Sequence, residues 1–473
     1  MKTKKKLLIF LVILVVALLV GALGVLYFEE QKAAQERVEE DVLTGNFSDY
    51  TDCENFKDIP AMIVPNTKIR NAVDYGDDTW IIDVNGTTLT DYQEYLLKLE
   101  ENGFSKHVDN GESGLDEAVY STTYTKGNMV LTVTQAVKLE KTYIAASKDL
   151  PLSEHLIYKD EYVADNKEGA KTTLHMLELY DTGNSFVIQL KNGHFIVNDG
   201  GKGEDLPYLL DYLEALTPDD EKPVIEAWVV SHAHLDHMGS LKALYSENKY
   251  SSYAKRIYVE GIYFSEPSEE VRASLYDTAE VTSVLMAAVS LQTTSGDYTP
   301  IYRPQMGQRY YFCDVTMDIV FSQEQLILQN YGGDFNDSST WCMFNIEGQT
   351  FLHCGDADQG AIDSVMRIYD SDYFNLDVFA VFHHGINVYD RFTDYCNLKT
   401  ILYPNYRTAS YHTADDYTRE AENNHLKESA LESMAFGDGT KVLTFPYEIG
   451  SAETLDLFKW EYHNGVRGEE ILK

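Results

Sequence analysis

Apolar and polar positions divide the chain into regions of different character. From Leu7 to Phe28 no charged residue interrupts a run of 22. At about 1.5 Å per residue such a helix crosses a hydrocarbon core of about 30 Å, and it is longer than the roughly 7–15 apolar residues of a cleavable signal peptide. Lys2, Lys4, Lys5 and Lys6 precede it, so the N-terminus is expected in the cytoplasm and the rest outside the cell. Small residues (Ala33, Ala34) follow the run and leave room for cleavage there. Residues 29–44 are charged and helix-prone and read as a stalk.

Between 45 and 150 the pattern predicts a small α+β module. Thr79–Val84 reads as a strand, followed by an Asn85-Gly86 turn. Thr90 is the expected N-cap of a helix over Asp91–Glu101, with Tyr92, Tyr95, Leu96 and Leu99 at helical spacing and Gly103 as its stop. Val119–Tyr124 and Met129–Val137 read as an antiparallel pair around Lys126-Gly127-Asn128. This module shows no chemistry and reads as a binding or packing unit. Residues 151–170 are polar and aperiodic, as in a linker. From 171 to 473 strands and helices alternate. Thr172–Leu179, Ser185–Leu190 and His194–Asn198 form two hairpins that run into Asp199-Gly200-Gly201. A helix over Pro207–Leu216 and a buried strand, Val224–Val230, come next.

Composition narrows the function. The net charge is -38, and beyond the four N-terminal lysines 34 basic residues face 76 acidic ones, or -42. A surface so acidic repels polyanions, which argues against a dedicated nucleic-acid binder. The five cysteines (Cys53, Cys313, Cys342, Cys354, Cys396) include no CxxC pair and are odd in number. Free thiols are expected rather than a disulfide framework or a cysteine zinc knuckle.

The chemistry is concentrated directly after the buried strand, in Ser231-His232-Ala233-His234-Leu235-Asp236-His237-Met238-Gly239. Three histidines and an aspartate within six positions, at a strand's C-terminal end, can turn into one cavity. Neutral imidazole with carboxylate suits zinc, and also manganese or iron.

This HxHxDH spacing resembles the signature of the metallo-β-lactamase superfamily. Asp199-Gly200-Gly201, Phe351–Asp356 (FLHCGD) and Val378–Gly385 (VFAVFHHG) resemble further segments of that family, so the likeness spans roughly 170–415. The resemblance implies an α/β fold, a four-layer αβ/βα sandwich of two mixed sheets with helices outside, preceded by the transmembrane helix and the small module. It implies a divalent metal pair, two zinc ions with manganese or iron as alternatives. His232, His234 and Asp356 would hold one, and Asp236, His237, Asp356 and His384 the other. The family's further histidine has no clear counterpart; His353 reads as a strand-packing residue. Asp236 would also orient the nucleophile. His383 would contact substrate or donate a proton, and His412, Tyr411 and Arg407 are further candidates at the leaving group.

The GDA and HHG endings, with Asn336–Phe344, are similar to the metallohydrolase domain of competence DNA-internalisation proteins and to bacterial phosphorylcholine esterases. That points to an extracellular, membrane-anchored hydrolase acting on a small-molecule or cell-surface phosphodiester or phosphocholine-type ester through metal-activated water. The acidity disfavours nucleic acid as its substrate. Two other readings compete. One is a non-catalytic surface-binding protein with a retained metal site, and the other a β-lactam or thioester hydrolase.

Overall fold

The computed structural model describes residues 58–473 except 63–67, 75–78, 111–114, 180–181, 247–251, 266–290, 323–334, 387, 405–416, 456–458, 464–465 and 471–473. The expected anchor and stalk lie outside the described residues. Among those described, no helix is long and apolar enough to cross a membrane.

The first sheet comprises β1 (Lys68–Asp74), β2 (Thr79–Asn85), β3 (Ser105–Asp109), β4 (Val119–Lys126), β5 (Met129–Ala136) and β6 (Lys141–Lys148). Its order is β1-β2-β6-β5-β4-β3, antiparallel throughout. Helix α1 (Leu89–Glu101) covers one face, burying Tyr92, Tyr95, Leu96 and Leu99 against Ile82, Leu131, Val133 and Ile144. The helix begins at Leu89, two residues before the expected start at Asp91. Thr88, not Thr90, caps it, because Thr88 and Asp91 form a reciprocal capping box. Thr88 N donates to Asp91 Oδ2 at 2.8 Å, and Asp91 N to Thr88 Oγ1 at 3.2 Å.

The other face of this sheet meets the rest of the chain. Gln308 Nε2 donates to Thr123 Oγ1 at 3.2 Å, and Thr134 Oγ1 to the Met306 carbonyl at 2.9 Å. Val119, Ala136 and Tyr143 share a core with Phe321, Trp341 and Ile362. Part of the aperiodic stretch after β6 is fastened down. Leu156 is buried, Ser153 Oγ lies 2.6 Å from the Tyr263 hydroxyl, and Tyr311 N donates to the His155 carbonyl at 2.9 Å.

The remaining strands are β7 (Thr173–Met176), β8 (Ser185–Gln189), β9 (Phe195–Asp199), β10 (Val224–Val230), β11 (Tyr258–Val259), β12 (Ile262–Phe264), β13 (Ile301–Tyr302), β14 (Arg309–Phe312), β15 (Val315–Phe321), β16 (Trp341–Ile346), β17 (Gln349–His353), β18 (Asn375–Ala380), β19 (Asn397–Tyr403), β20 (Glu432–Ala435), β21 (Thr440–Thr444), β22 (Glu453–Leu455) and a hairpin, β23 (Lys459–His463) with β24 (Val466–Glu470). One mixed sheet runs β13-β12-β10-β9-β8-β7-β21-β22 with β11 beside β10, and the other β14-β15-β16-β17-β18-β19-β20. Their inner faces share one core, with Phe186, Ile188 and Val197 from the first and Ile319, Phe344, Phe351 and Val378 from the second. Phe186 and Phe351 meet across it at 5.4 Å.

Helices α2 (Leu206–Ala215) and α3 (Leu235–Ser246) pack outside the first of these sheets. There Tyr212 of α2 lies 2.8 Å from His175 of β7. Outside the second, α4 (Gln359–Ile368) and α5 (Asp390–Tyr395) bury Ile362, Val365 and Phe392 against Leu352 and Phe379. The result is a four-layer αβ/βα sandwich. Strand β18 stops at Ala380, and Phe382 already belongs to the turn that follows. Helix α6 (Tyr417–Ser429) completes the described helices of four residues or more of α type.

Candidate metal centre

Strands β9 and β10 are parallel neighbours, as are β17 and β18, so the C-terminal ends of each pair emerge at one edge of its sheet. Asp199 ends β9, fully buried and at positive φ (59°). Its Oδ1 accepts from Ser231 N at 2.8 Å, and its Oδ2 from Ser231 Oγ at 2.9 Å. The same Oδ2 lies 2.8 Å from His237 Nδ1. One carboxylate thereby fixes the start of the histidine loop and the ring of His237, leaving Nε2 to face Asp356. His232 Nδ1 lies 3.0 Å from Ser231 Oγ and 3.3 Å from Ser339 Oγ, which turns its Nε2 to within 2.9 Å of His234 Nδ1.

The other sheet supplies the remaining residues. Asp356 follows β17 through Gly355, whose φ is +55°. A Cβ at Gly355 would stand 2.7 Å from Ser231 Cβ, so glycine there permits the two sheet edges to close. His383 (φ 46°, ψ 46°) and His384 (φ 55°, ψ 18°) follow β18, both in the left-handed region. Each such residue costs on the order of 1–3 kcal/mol and persists where its surroundings hold it. Here His383 N donates to the Gly355 carbonyl at 3.2 Å, and Asn423 Nδ2 of α6 to the Gly385 carbonyl at 2.8 Å. His384 Nδ1 lies 3.1 Å from the Pro404 carbonyl, so its Nε2 points inward.

The inward atoms converge. His237 Nε2 is 3.0 Å from Asp356 Oδ1, and His384 Nε2 is 3.4 Å from Asp356 Oδ2 and 3.3 Å from Asp236 Oδ2. Among the described residues two groups offer donor atoms within 4.8 Å of one another: Asp236, His237, Asp356 and His384, and His232, His234 and Asp356. Asp356 is common to both.

The donors fit divalent cations. His237 Nε2 and Asp356 Oδ1 are buried, and neither makes a hydrogen bond despite their proximity. Burial raises the cost of ionising Asp356, yet His237 and His384 outweigh it and hold that carboxyl well below its usual range. Burial likewise opposes charge on His384, but Asp356 and Asp236 push it up to about 9. His237 is raised well above the ordinary histidine value against its own burial, by Asp356, Asp199 and Asp236. The pocket thus gathers positive charge around buried carboxylates, a demand that divalent cations meet without protons.

The other expected residues are placed differently. His353 is buried beneath the centre. Its Nε2 lies 3.1 Å from Asn184 Nδ2, its ring sits edge-on to Phe186, and it belongs to neither donor group. His383 stands at the rim, its side chain 22% exposed, with Nε2 3.6 Å from Asp356 Oδ2. His412, Tyr411 and Arg407 lie outside the described residues. The orienting groups Ser231, Ser339 and the Pro404 carbonyl carry no local sequence signal. Asp199 had one, a lone acid at a strand end before two glycines, but its role as the brace of His237 emerges only from contacts between elements.

Comparison with known proteins bears on this edge of the sandwich. The family model of the metallo-beta-lactamase superfamily matches residues 180–280. No curated protein matches the chain. A solved structure described as a metal-dependent hydrolase of the beta-lactamase superfamily aligns at 10% identity and a TM-score of 0.31, over 56% of this chain and 95% of its own. The family match takes in β8 to β10, the brace at Asp199 and the loop from His232 to His237, and it identifies a metallo-beta-lactamase superfamily domain in this chain.

Proposed function

We propose that this protein is a hydrolase of phosphodiesters or phosphocholine-type esters that works with two divalent cations, zinc in the first instance. The observation that carries this reading is the position of Asp356, whose carboxylate belongs to both donor groups. A divalent pair held there would supply a water that ionises near neutral pH and would polarise the scissile oxygen. The chain's own residues do the rest. His232, His234 and Asp356 form one cradle, and Asp236, His237, Asp356 and His384 the other. The Asp236 side chain is 28% exposed while that of Asp356 is 2% exposed, so Asp236 is the carboxylate on the open side, suited to orienting the attacking water. His383 at the rim is placed to contact the substrate or to give a proton to its leaving group. His412 remains a second proposed donor from the sequence.

The choice of bond rests on the likeness of the Gly355–Ala357 and His383–Gly385 segments to phosphodiester-cleaving relatives. The charge of -38 favours a small or zwitterionic ester over DNA. We further propose that residues 1–28 anchor the chain with the hydrolase outside the cell, on the strength of the lysines and the uncharged run.

The test uses full-length protein in detergent, stripped with chelator and reloaded with zinc or manganese. Bis(p-nitrophenyl) phosphate, p-nitrophenyl phosphorylcholine and a chromogenic β-lactam are offered in turn. Metal-restored turnover of the first two is expected. Turnover of the β-lactam alone would defeat the phosphodiester reading. A metal-dependent rise in melting temperature with no turnover of any substrate would favour a binding protein. Asp236→Asn should abolish most activity; survival of both activity and metal content would remove Asp236 from the centre.

A further inference from the structure

Asp358 occupies the N-cap of α4 with extended backbone (φ -99°, ψ -176°). An aspartate there ordinarily turns back to accept from the second or third amide of its helix. This side chain makes no capping hydrogen bond. The third amide, Ala361 N, is taken instead by Asp337 Oδ1 at 2.9 Å, from the turn Phe335–Ser338. With its helix capped from outside, Asp358 turns to the rim of the centre. Its Oδ1 accepts from the Tyr389 hydroxyl at 3.3 Å and lies 3.9 Å from His383 Nδ1. The side-chain amide of Asn336 flanks His383 Nδ1 at 3.4 Å.

We propose that Asp358 and Tyr389 are positioning residues that hold the His383 ring, with Nε2 toward the shared Asp356 carboxylate and the substrate. At 3.9 Å the carboxylate acts on Nδ1 through charge rather than a direct hydrogen bond. The left-handed backbone of His383 aims the ring, and the Asp358–Tyr389 pair restrains its rotation. The substitution of one capping aspartate by another is what makes this arrangement affordable to the helix. The role in turnover rests on the hydrolase reading above, whereas the restraint on the ring does not.

The experiment compares zinc-loaded, full-length wild type with Asp358→Asn, Tyr389→Phe and His383→Gln. Histidine-selective 15N spectra report the ring of His383, assigned by its loss in His383→Gln. Zinc content, melting temperature and kinetics on bis(p-nitrophenyl) phosphate are measured alongside. In Asp358→Asn and Tyr389→Phe the His383 signals should move and kcat should fall roughly 10- to 100-fold, more than KM changes. Zinc content should stay at the wild-type level and the melting temperature within about 2 °C of it. Unmoved His383 signals in both variants overturn the proposal whatever the kinetics. Moved signals with wild-type kcat overturn it as well, and so does loss of zinc together with a large drop in melting temperature. Should Asp358→Asn fail to fold, Tyr389→Phe decides alone. An inert wild type removes the hydrolase reading, and the ring spectra then decide the restraint by themselves.

Discussion

At the residue scale the centre depends on groups that touch no ligand atom of a cation. Asp199 holds His237 through Nδ1 and the loop through Ser231. Replacing it with alanine should weaken zinc binding by roughly 10- to 100-fold, read by competition with a calibrated chelator. Unchanged affinity would mean that the ring of His237 is held by packing alone. A buried histidine elsewhere makes a different prediction. Burial holds His175 down to about 3, so it is neutral in the folded protein, between Thr173 Oγ1 at 2.7 Å and the Tyr212 hydroxyl at 2.8 Å. In the unfolded chain it titrates near 6.5, so between those values the unfolded state binds more protons and stability falls as pH falls. The loss approaches about 1.4 kcal/mol per pH unit well inside that window. His175→Gln should therefore lose less stability than wild type between pH 7 and pH 5, in urea melts of the two proteins. The metal site contributes equally to both, so parallel losses would show that His175 does not titrate as described.

At the element scale helix starts depend on side chains that come from near in one case and from far in another. Thr88 and Asp91 cap α1 locally, three residues apart. At α4 the cap comes from Asp337, 24 positions before Ala361. Asp337→Ala should cost about 1 kcal/mol in denaturant melts, within the usual range for a lost cap, with fraying at the start of α4 seen by amide exchange. Asp358→Ala should cost less, because its side chain does not cap. Equal losses from the two would assign the capping wrongly. This contrast also shows where local reading succeeds. Helical spacing of Tyr92, Tyr95, Leu96 and Leu99 identifies α1, and the Gly127 turn identifies the β4–β5 pair, because both follow from neighbours along the chain. The N-cap of α4 cannot be read that way, since Asp358 has the right residue type at the right position and is used for something else.

At the scale of the whole molecule the first sheet is held between α1 and the sandwich. Gly307 marks a close approach. Its φ is +89°, and a Cβ there would stand 2.8 Å from Ser121 Cβ and 2.9 Å from Val119 Cγ1. Gly307→Ala should destabilise by about 1–3 kcal/mol, from strain and forced separation together. It should also speed proteolysis within residues 149–172 relative to the sandwich. A wild-type digestion pattern and melting temperature would show that this contact does not hold the two parts together.

The sequence alone determined what is written in adjacent residues: the uncharged run behind four lysines, the alternating strands and their turns, and the cluster from His232 to His237. Those features depend on local backbone preference and on spacing along one strand and its loop. Asp356 and His384 were legible through resemblance to a family, not through any property of their own neighbours. Tertiary structure decided that they meet the cluster, because the meeting requires two parallel strand pairs to open at one edge and a glycine at position 355 to let the sheets close. It also decided that Asp199 braces His237, that His353 packs beneath the centre, and that Asp358 faces His383 while Asp337 caps its helix. Each of these is a contact between elements far apart in the chain, and such contacts are set by sheet order and close packing rather than by the residues on either side.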